Sequence, residues 1–228
     1  MMLPLQEVLN KYCICPKGVI HVGAHWAEEH EEYVRCGINR FTYIEPCKDA
    51  FYVLMKKFGF EYSENEYKHY SRGYGDEKMN INLLNYACGE KEGDMTMNVS
   101  NDNQGQSNSL LKPLLHLQQH PEVIFDNKEI VRVQPLDYIL FEKQNYDFLV
   151  MDCQGYEGQV LKGAVNTLKH IDIIYTEINR GQTYEDNMEI EEMDLFLDFH
   201  GFTRVETHRP SPNWTWGDAV FIRKTLLQ

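Results

Sequence analysis

Short apolar runs alternate with amphipathic stretches along most of the chain. Each run is a few residues long and ends at a turn residue or an acid, as buried strands do. Such runs occupy residues 19–22, 41–44, 81–86, 146–151 and 171–175. Helices are predicted between or after them, at residues 24–37, 51–58, 160–168 and 193–199. The alternation predicts an α/β fold with a parallel, doubly wound sheet that is covered on both faces.

The end of the chain breaks this alternation. Residues 202–207 and 219–223 form two strands that are separated only by the loop 208–218, with no helix between them. Strands joined in this way pair antiparallel, so a closing hairpin is predicted. Two further strands are predicted, one within residues 89–99 and one at residues 130–133, the latter at a sheet edge.

Two segments lack an apolar period and are predicted to be surface insertions. Residues 61–78 are polar and rich in tyrosine, and residues 101–128 begin with a stretch rich in Asn, Gln, Ser and Gly. The polar loop 104–109 is either a disordered surface loop or a cover over a binding site. The length of 228 residues suits one domain spanning 1–228, with residues 1–17 as an N-terminal lead-in.

The composition is that of a soluble globular protein, with 43% hydrophobic and 25% charged residues. A net charge of −13 disfavours a nucleic-acid partner, because such a chain has little to offer a phosphate backbone. No apolar stretch is long enough to span a membrane, and the first residues lack the pattern of a secretory signal. We therefore expect a cytoplasmic protein.

The cysteines and histidines do not form a metal-binding pattern. The six cysteines contain no C-x-x-C pair, so we interpret them as thiols in a reducing compartment. His21, His25 and His30 lie close together in the sequence, but they straddle a predicted strand-to-helix turn. These residues therefore predict no resident metal.

Candidate site residues stand at the carboxyl ends of the predicted strands, where open α/β sheets bind their ligands. In chain order they are Gly23, Ala24 and His25, then Glu45, then Ala87 and Cys88, then Asp152 and Gln154, and finally Glu177. Glu45 follows Gly23 by 22 residues, a spacing at which a carboxylate can accept hydrogen bonds from ribose hydroxyls. The alternative is a tight turn and an unrelated strand-ending acid.

The glycine turn lacks the full G-x-G-x-x-G pattern, since His25 and Glu28 occupy the later glycine positions. This argues against a dinucleotide, whose pyrophosphate needs close backbone approach at several points. It does not argue against a nucleoside ligand without phosphates, such as S-adenosylmethionine.

Asp152 ends a strongly apolar run, where an acid is costly to desolvate unless a ligand or partner uses it. The alternative is a cap for the helix that starts near Glu157. Glu177 repeats the arrangement one strand along the chain. The two acids are placed to share a ligand, a proton or a metal.

Several short motifs follow one another along the chain: VIHVGAH at 19–25, YIEP at 43–46, VQPLD at 133–137, FLVMDCQGYE at 148–157, VLKGA at 160–164, TEI at 176–178 and GF at 201–202. In this order and spacing they resemble the FkbM-type family of S-adenosylmethionine-dependent methyltransferases. The resemblance extends over about residues 18–224. It implies a class I methyltransferase fold, Rossmann-like, with a mostly parallel seven-stranded sheet and an antiparallel last strand. It also implies S-adenosylmethionine as cofactor and a hydroxyl group as substrate, often on a sugar.

Roles for individual residues follow as expectations. Gly23, Ala24 and His25 are expected beside the methionine half of the cofactor, and Glu45 with Pro46 beside the ribose. The expected neighbours of the adenine are Asn85, Ala87 and Cys88. Asp152, near the expected methyl position, and Gln154 complete the predicted cofactor-binding residues.

Chemistry and acceptor binding are assigned to a second set. Asp152 is the predicted base that positions and deprotonates the hydroxyl, with Glu177 in support, and His25 is the competing base. A divalent metal held by Asp152 and Glu177 is a further alternative. The predicted acceptor residues are Ser109, Trp214 and Trp216, and both tryptophans have the alternative of packing beneath their loop.

Three functions remain in competition. The first is an O-methyltransferase that acts on a hydroxyl group of a small-molecule or glycan acceptor. The second is a nucleotide-cofactor oxidoreductase, which the missing phosphate loop disfavours. The third is a catalytically inactive binding module that keeps the methyltransferase fold.

Overall fold

The computed structural model describes residues 3–61, 69–74, 79–101 and 105–227. In chain order its helices and strands are α1 (Leu5–Tyr12), β1 (Gly18–Val22), α2 (His30–Arg35), β2 (Arg40–Ile44), α3 (Lys48–Lys57), β3 (His69–Tyr74), β4 (Met79–Leu84), β5 (Ala87–Cys88), β6 (Gly93–Val99), α4 (Leu115–Gln119), β7 (Asn127–Gln134), α5 (Leu136–Ile139), β8 (Phe148–Met151), α6 (Glu157–Lys162), β9 (Ile173–Asn179), α7 (Ile190–Phe199), β10 (Phe202–His208) and β11 (Trp216–Arg223). No helix within these ranges is long and apolar enough to cross a membrane.

The main sheet has eight strands in the order β10-β11-β9-β8-β1-β2-β4-β3. Its central pairs are parallel, and β11 runs antiparallel to both β9 and β10. The predicted doubly wound α/β fold and the closing hairpin are confirmed. Because β1, β2, β8 and β9 are parallel, their carboxyl ends meet at one edge of the sheet, which the amino end of β11 also reaches.

Both faces of the sheet are buried, which explains why its central strands are continuous apolar runs. Successive side chains point to opposite faces, so Ile20 packs with α6 and α7, whereas Val19 packs with α1 and α3. Each large apolar side chain buried in this way contributes about 1.5–3 kcal/mol. The lead-in residues 1–17 thus include a helix, α1, whose Leu5 is fully buried against the sheet.

A second sheet of three strands, in the order β5-β7-β6, begins where β4 ends. Its strand β7 was predicted as a short edge strand at 130–133, but it is longer and lies in the centre. Both of its neighbours pair with it, and Val131 and Val133 form a small core with Met97. This sheet therefore stands beside the carboxyl ends of the main strands.

The predicted helix at residues 24–37 is wrong in its first half. Helix α2 begins only at His30, because Gly23, His25 and Ala27 have φ angles of 76°, 45° and 50°, which a right-handed helix cannot contain. The chain instead makes tight turns over the carboxyl end of β1.

The two predicted insertions also differ from simple surface loops. Strand β3 lies within residues 61–78 and pairs antiparallel with β4, while residues 62–68 and 75–78 lie outside the described ranges. In the insertion at 101–128, residues 102–104 are outside the described ranges, and the remainder buries Ser107, Ser109 and His116. Buried polar residues need partners, which ties this segment to the rest of the protein.

Candidate active site

A cavity of about 750 Å³ opens at the carboxyl edge of the main sheet. The strand-end residues that line it are Gly23, Ala24, His25, Glu45, Pro46, Ala87, Cys88, Asp152, Gln154 and Glu177. Residues from 105–123, Tyr184 and Trp216 also line it. The structure thus brings the predicted site residues together, except for Asn85, Ser109 and Trp214, which do not line the cavity.

Gly23 allows the ends of β1 and β8 to approach each other. Its φ is +76°, and a Cβ atom there would lie 1.8 Å from the carbonyl oxygen of Asp152. The N–H groups of Gly23 and Ala24 donate to the carbonyl oxygen of Ile44, at 3.0 and 3.1 Å. The turn therefore joins the ends of three strands, β1, β2 and β8, at the floor of the cavity.

Glu45 is held by the backbone around it. Its Oε2 accepts from the N–H of His25 at 2.9 Å, and its Oε1 accepts from the N–H of Cys47 at 2.8 Å. Burial raises the pKa of Glu45 to about 7, although the two N–H donors oppose the rise. Asn85 supports this turn from behind, because its Nδ2 donates to the carbonyl oxygens of Glu45 and Pro46 at 2.8 and 3.1 Å.

Asp152, Gln154 and Glu177 form one hydrogen-bonded unit, called here the acidic wall. The Nε2 of Gln154 donates to Oδ1 of Asp152 at 2.7 Å and to Oε2 of Glu177 at 3.0 Å. The hydroxyl of Tyr184 donates to Oε1 of Gln154 at 2.8 Å, which fixes the direction of the amide. Gly155, whose φ is +95°, leaves room for the Tyr184 ring, since a Cβ there would lie 2.6 Å from that ring.

The carboxyl groups of the acidic wall resist ionisation. The side chain of Asp152 is exposed to the solvent of the cavity. Desolvation by the surrounding protein raises its pKa to about 6, although the hydrogen bond from Gln154 opposes the rise. Burial raises the pKa of Glu177 well above its usual range, and the nearby Asp152 and Asp218 add to the rise. Asp218 lies directly opposite Glu177 in the register of β11 and β9, and it accepts a hydrogen bond from Tyr175. Glu177 therefore holds its proton more tightly than Asp152 does.

His25 lies next to this wall in the same cavity. Its Nδ1 pairs with Oε1 of Glu28 at 2.7 Å, and its ring stacks on Trp26 at 4.6 Å. Burial would raise the pKa of Glu28, but the His25 ring and the N–H of Trp26 outweigh it and bring the pKa to about 2. The Glu28 carboxylate thus orients the His25 imidazole.

His116, His120 and Trp216 also line the cavity and are called here the aromatic wall. The indole N–H of Trp216 donates to Nε2 of His120 at 3.3 Å, so in this structure it is already used within the wall. Trp214 stacks on Trp216 with ring centroids 5.1 Å apart, behind the cavity surface. Ser109 is also behind that surface, where its Oγ donates to the carbonyl oxygen of Gln154 at 2.7 Å.

Several residues of the site were missed from the sequence. Glu157 was considered only as the start of a helix, yet it is buried beside the acidic wall and accepts from the N–H of Cys153 at 2.7 Å. Burial raises its pKa to about 7. Tyr184 gives no signal in the sequence, whereas His116 and His120 repeat at helical spacing in a segment predicted to be a surface insertion. That spacing was the available clue to the aromatic wall.

The cavity is lined by carboxylates, and no lysine or arginine lines it in the described part of the chain. These carboxylates are Glu28, Glu29, Glu45, Glu122, Asp152, Glu177 and Asp218. Within the described ranges no three His, Cys, Asp or Glu side chains converge in a way that could hold a metal ion.

The strand order, the closing hairpin and the site at the carboxyl edge define the class I methyltransferase fold. The crystal structure of magnesium protoporphyrin IX methyltransferase (ChlM) from Synechocystis PCC 6803 has a TM-score of 0.52 and 9% identity, covering 96% of this chain and 76% of that one. The 1,6-didemethyltoxoflavin-N1-methyltransferase of Burkholderia thailandensis has a TM-score of 0.50 and 10% identity, covering 97% of this chain and 77% of that one. At such identities the likeness shows the fold alone.

The family follows from the sequence. The Methyltransferase FkbM domain matches residues 21–204, so the chain belongs to the FkbM family of S-adenosylmethionine-dependent methyltransferases. The 2-O-methyltransferase NoeI of Sinorhizobium fredii (strain NBRC 101917 / NGR234) is 29% identical over 155 residues, 64% of this chain. The match spans 61% of the length of NoeI. The predicted fold class, family and cofactor are confirmed.

Proposed function

We propose that this protein transfers the methyl group of S-adenosylmethionine to a hydroxyl group of a sugar or glycan. The observation that carries the proposal is the placement of the acidic wall and the aromatic wall in one cavity. The first wall can accept a proton from an alcohol, and the second presents the flat apolar surface that a sugar ring needs. The likeness to NoeI, whose name gives 2-O-methylation, supports transfer to an oxygen.

The residues of the cavity suit the cofactor. S-adenosylmethionine carries a sulfonium and an ammonium group, and a cavity lined by carboxylates without lysine or arginine in its described part favours such cations. Glu45 stands at the end of β2, where it can accept from ribose hydroxyls, and Ala87 and Cys88 offer small apolar side chains beside the adenine. A volume of about 750 Å³ lies in the usual range for ligand sites.

When bound, S-adenosylmethionine supplies an electrophilic methyl group. The protein must then hold the acceptor oxygen in line with that group and remove its proton. Asp152 is the residue that we assign to both tasks, because a carboxyl with a pKa of about 6 is ionised at neutral pH yet basic enough to share a proton. Burial and the neighbouring Asp152 raise the pKa of Glu177, which favours a single negative charge on the pair.

His25 is the alternative base. It lines the same cavity, and its contact with Glu28 orients the imidazole in the way that a carboxylate orients a catalytic histidine elsewhere. A metal held by Asp152 and Glu177 is the other alternative, and it needs ligands beyond these two residues. The variants Asp152→Asn and His25→Ala, together with a chelator, separate the three possibilities.

The first experiment distinguishes a methyltransferase from an oxidoreductase and from an inactive module. Calorimetry with S-adenosylmethionine and with NAD is expected to show binding of the first ligand alone. Labelled methyl donor is then offered with methyl glycosides of common sugars and with amine and carboxylic acid acceptors, and the products are located by mass spectrometry and NMR. We expect an O-methyl ether on a sugar. Methylation confined to nitrogen or carboxylate acceptors, or donor binding with no transfer at all, would contradict the proposal.

A further inference from the structure

The aromatic wall contains a polar group that the proposed chemistry leaves unused. The side chain of His116 lines the cavity and is only 5% exposed, and its Nδ1 has no hydrogen-bond partner among the described residues. The rings of His120, Phe125 and Tyr184 surround it, with centroids 5.1 to 5.6 Å away. A buried polar atom without a partner costs about 1–3 kcal/mol, so a group that supplies the partner binds favourably.

The imidazole of His116 is matched to a hydroxyl group. Burial lowers its pKa to about 4, so the ring is neutral under physiological conditions. A neutral imidazole has one donor and one acceptor, and a hydroxyl has the same pair. A half-turn of the ring about Cβ–Cγ exchanges the positions of Nδ1 and Cδ2, and therefore brings a nitrogen to either edge. The ring can thus meet a hydroxyl of a ligand in the cavity.

Trp216 is oriented for a neighbouring contact. Its N–H donates to Nε2 of His120, whose Nδ1 lies 3.4 Å from Oε1 of Glu122. This chain of contacts sets the plane of the indole, and the stacked Trp214 supports it from behind. Because its N–H is used inside the wall, Trp216 offers its ring surface, which suits the C–H face of a sugar.

The charge of the cavity restricts what that sugar can carry. All the formally charged side chains that line it in the described ranges, histidine aside, are carboxylates. A phosphate or diphosphate placed there would be repelled, and it would find no guanidinium or ammonium partner on the described walls. A neutral sugar meets no such cost.

We propose that His116 and Trp216 form the acceptor subsite, and that this subsite selects a neutral sugar unit over a phosphorylated or nucleotide-activated one. The inference rests on the proposed function, and it adds the chemical class of the acceptor and a residue that determines specificity. His116 bonds to a hydroxyl next to the one that is methylated, and Trp216 packs on the ring.

The test compares the same sugars with neutral and with anionic substituents at the anomeric carbon. The wild-type protein, with labelled methyl donor, is offered methyl glycosides of common hexoses, deoxyhexoses and pentoses, and the 1-phosphates and nucleoside diphosphate conjugates of the same sugars. We expect transfer to one or more methyl glycosides, with kcat/KM at least tenfold lower for their anionic counterparts. Equal or better use of the anionic sugars would overturn the inference while sugar O-methylation stands. Transfer to no sugar of either kind would overturn the proposed function, and the inference with it.

Variants of His116 test the contact itself. His116→Phe keeps a ring against Phe125 and removes the hydrogen-bonding nitrogens, so it should raise the acceptor KM about three- to tenfold and leave donor affinity unchanged. Its melting temperature should not fall, because the unpartnered atom is gone, whereas a purely structural histidine would lose stability. His116→Gln, which restores a donor and an acceptor, should recover part of the KM. The control is His170→Ala, at an exposed position near the amino end of β9. An unchanged acceptor KM in His116→Phe would contradict the assignment.

Discussion

The two walls of the cavity have different origins in the fold. The acidic wall stands on the ends of β8 and β9, which are parallel strands in the centre of the main sheet. The aromatic wall comes from the insertion that contains α4 and from the start of β11. The first wall uses the edge at which every sheet of this kind binds its ligand. The second takes Trp216 from a strand of the same sheet, but His116 and His120 come from an insertion that this kind of sheet does not require, and so they carry what is particular to this chain.

Burial acts on both walls, with opposite effects on their pKa values. It raises the pKa of Asp152 to about 6 and lowers that of His116 to about 4. In each case burial favours the neutral form of the side chain, because a charged group is poorly solvated in the protein. At neutral pH the result is an ionised Asp152 and an uncharged imidazole that line the same cavity. One wall is therefore equipped for proton removal and the other for hydrogen bonding without charge.

The largest expected effect comes from removing the base in the acidic wall. Asp152→Asn keeps an oxygen that can accept from Gln154, so the geometry of the wall should survive. Turnover should fall by about 10²–10⁴-fold, the usual contribution of a general base, while donor affinity changes little. Steady-state kinetics and calorimetry measure the two quantities. Near-normal turnover in Asp152→Asn, together with an inactive His25→Ala, would move the base to His25.

The pH profile of the wild-type protein checks the same assignment. A base must be ionised to act, so kcat/KM for the donor should rise with pH through an apparent pKa near 6, the value for Asp152 in the free protein. The positive charge of the bound donor favours the carboxylate, so the corresponding limb of kcat should lie at lower pH. Both limbs should disappear from the residual activity of Asp152→Asn. Their persistence there would assign the titration to another group.

The next effect concerns donor binding alone. Glu45→Ala removes the carboxylate that stands where ribose hydroxyls are expected, and a hydrogen bond to a charged group contributes about 1.5–3 kcal/mol. The donor Kd should therefore rise by about ten- to a hundredfold, with a smaller change in the acceptor KM. Glu191→Ala, at an exposed position in the first turn of α7, is the control. Unchanged donor affinity in a folded Glu45→Ala protein would show the ribose assignment to be wrong.

A substitution in the aromatic wall should leave the affinity for the methyl donor unchanged. Trp216→Ala removes the proposed stacking surface, and we expect the acceptor KM to rise about tenfold, given the area that an indole contributes. Trp214→Ala is the comparison, because Trp214 supports Trp216 without lining the cavity. Its effect should be smaller. Equal losses of donor and acceptor binding in Trp216→Ala, with a lowered melting temperature, would instead favour the interpretation that Trp216 only packs.

The contrast between the walls also shows what could be predicted from the sequence. Strand ends are readable because a continuous apolar run that stops at a polar or acidic residue is typical of a buried strand in a parallel sheet. Gly23, Glu45, Asp152 and Glu177 were found in this way, and the structure places all four in one cavity. Asn85 was predicted beside the adenine, but it does not line the cavity. The sequence cannot show that its amide donates to the backbone of Glu45 and Pro46.

Trp216 was predicted as an acceptor residue, but the rest of the aromatic wall was missed for a physical reason. The residues of this wall come from distant parts of the chain, and a polar, aperiodic segment such as 101–128 shows no hydrophobic period that reveals where it packs. Ser109 was assigned to the acceptor, yet it supports Gln154 from behind. The turns after β1 were also missed. His25 and Ala27 have left-handed backbone conformations there, and only a glycine at these positions would have indicated such conformations in the sequence.

The smallest predicted effect lies at the junction of the two walls. Tyr184 packs on His116 and donates to Oε1 of Gln154, which in turn points the Gln154 N–H groups at Asp152 and Glu177. Tyr184→Phe removes that donor, so the amide of Gln154 is held less firmly against the two carboxyl groups. A neutral hydrogen bond contributes about 0.5–1.5 kcal/mol, so kcat should fall about threefold, with the acceptor KM nearly unchanged.

A control variant that loses a tyrosine hydroxyl far from the site separates the effect of Tyr184→Phe on kcat from a loss of stability. Tyr146→Phe removes a buried hydroxyl that accepts from Thr42 and Asn82, each at 2.8 Å, near the amino end of β8. It should lower the melting temperature by at least as much as Tyr184→Phe does and leave kcat unchanged, because it lies at the opposite end of the strand from Asp152. If both variants lose stability and neither loses turnover, Tyr184 does not orient Gln154 for the reaction, and the acidic wall keeps its geometry without help from its neighbour.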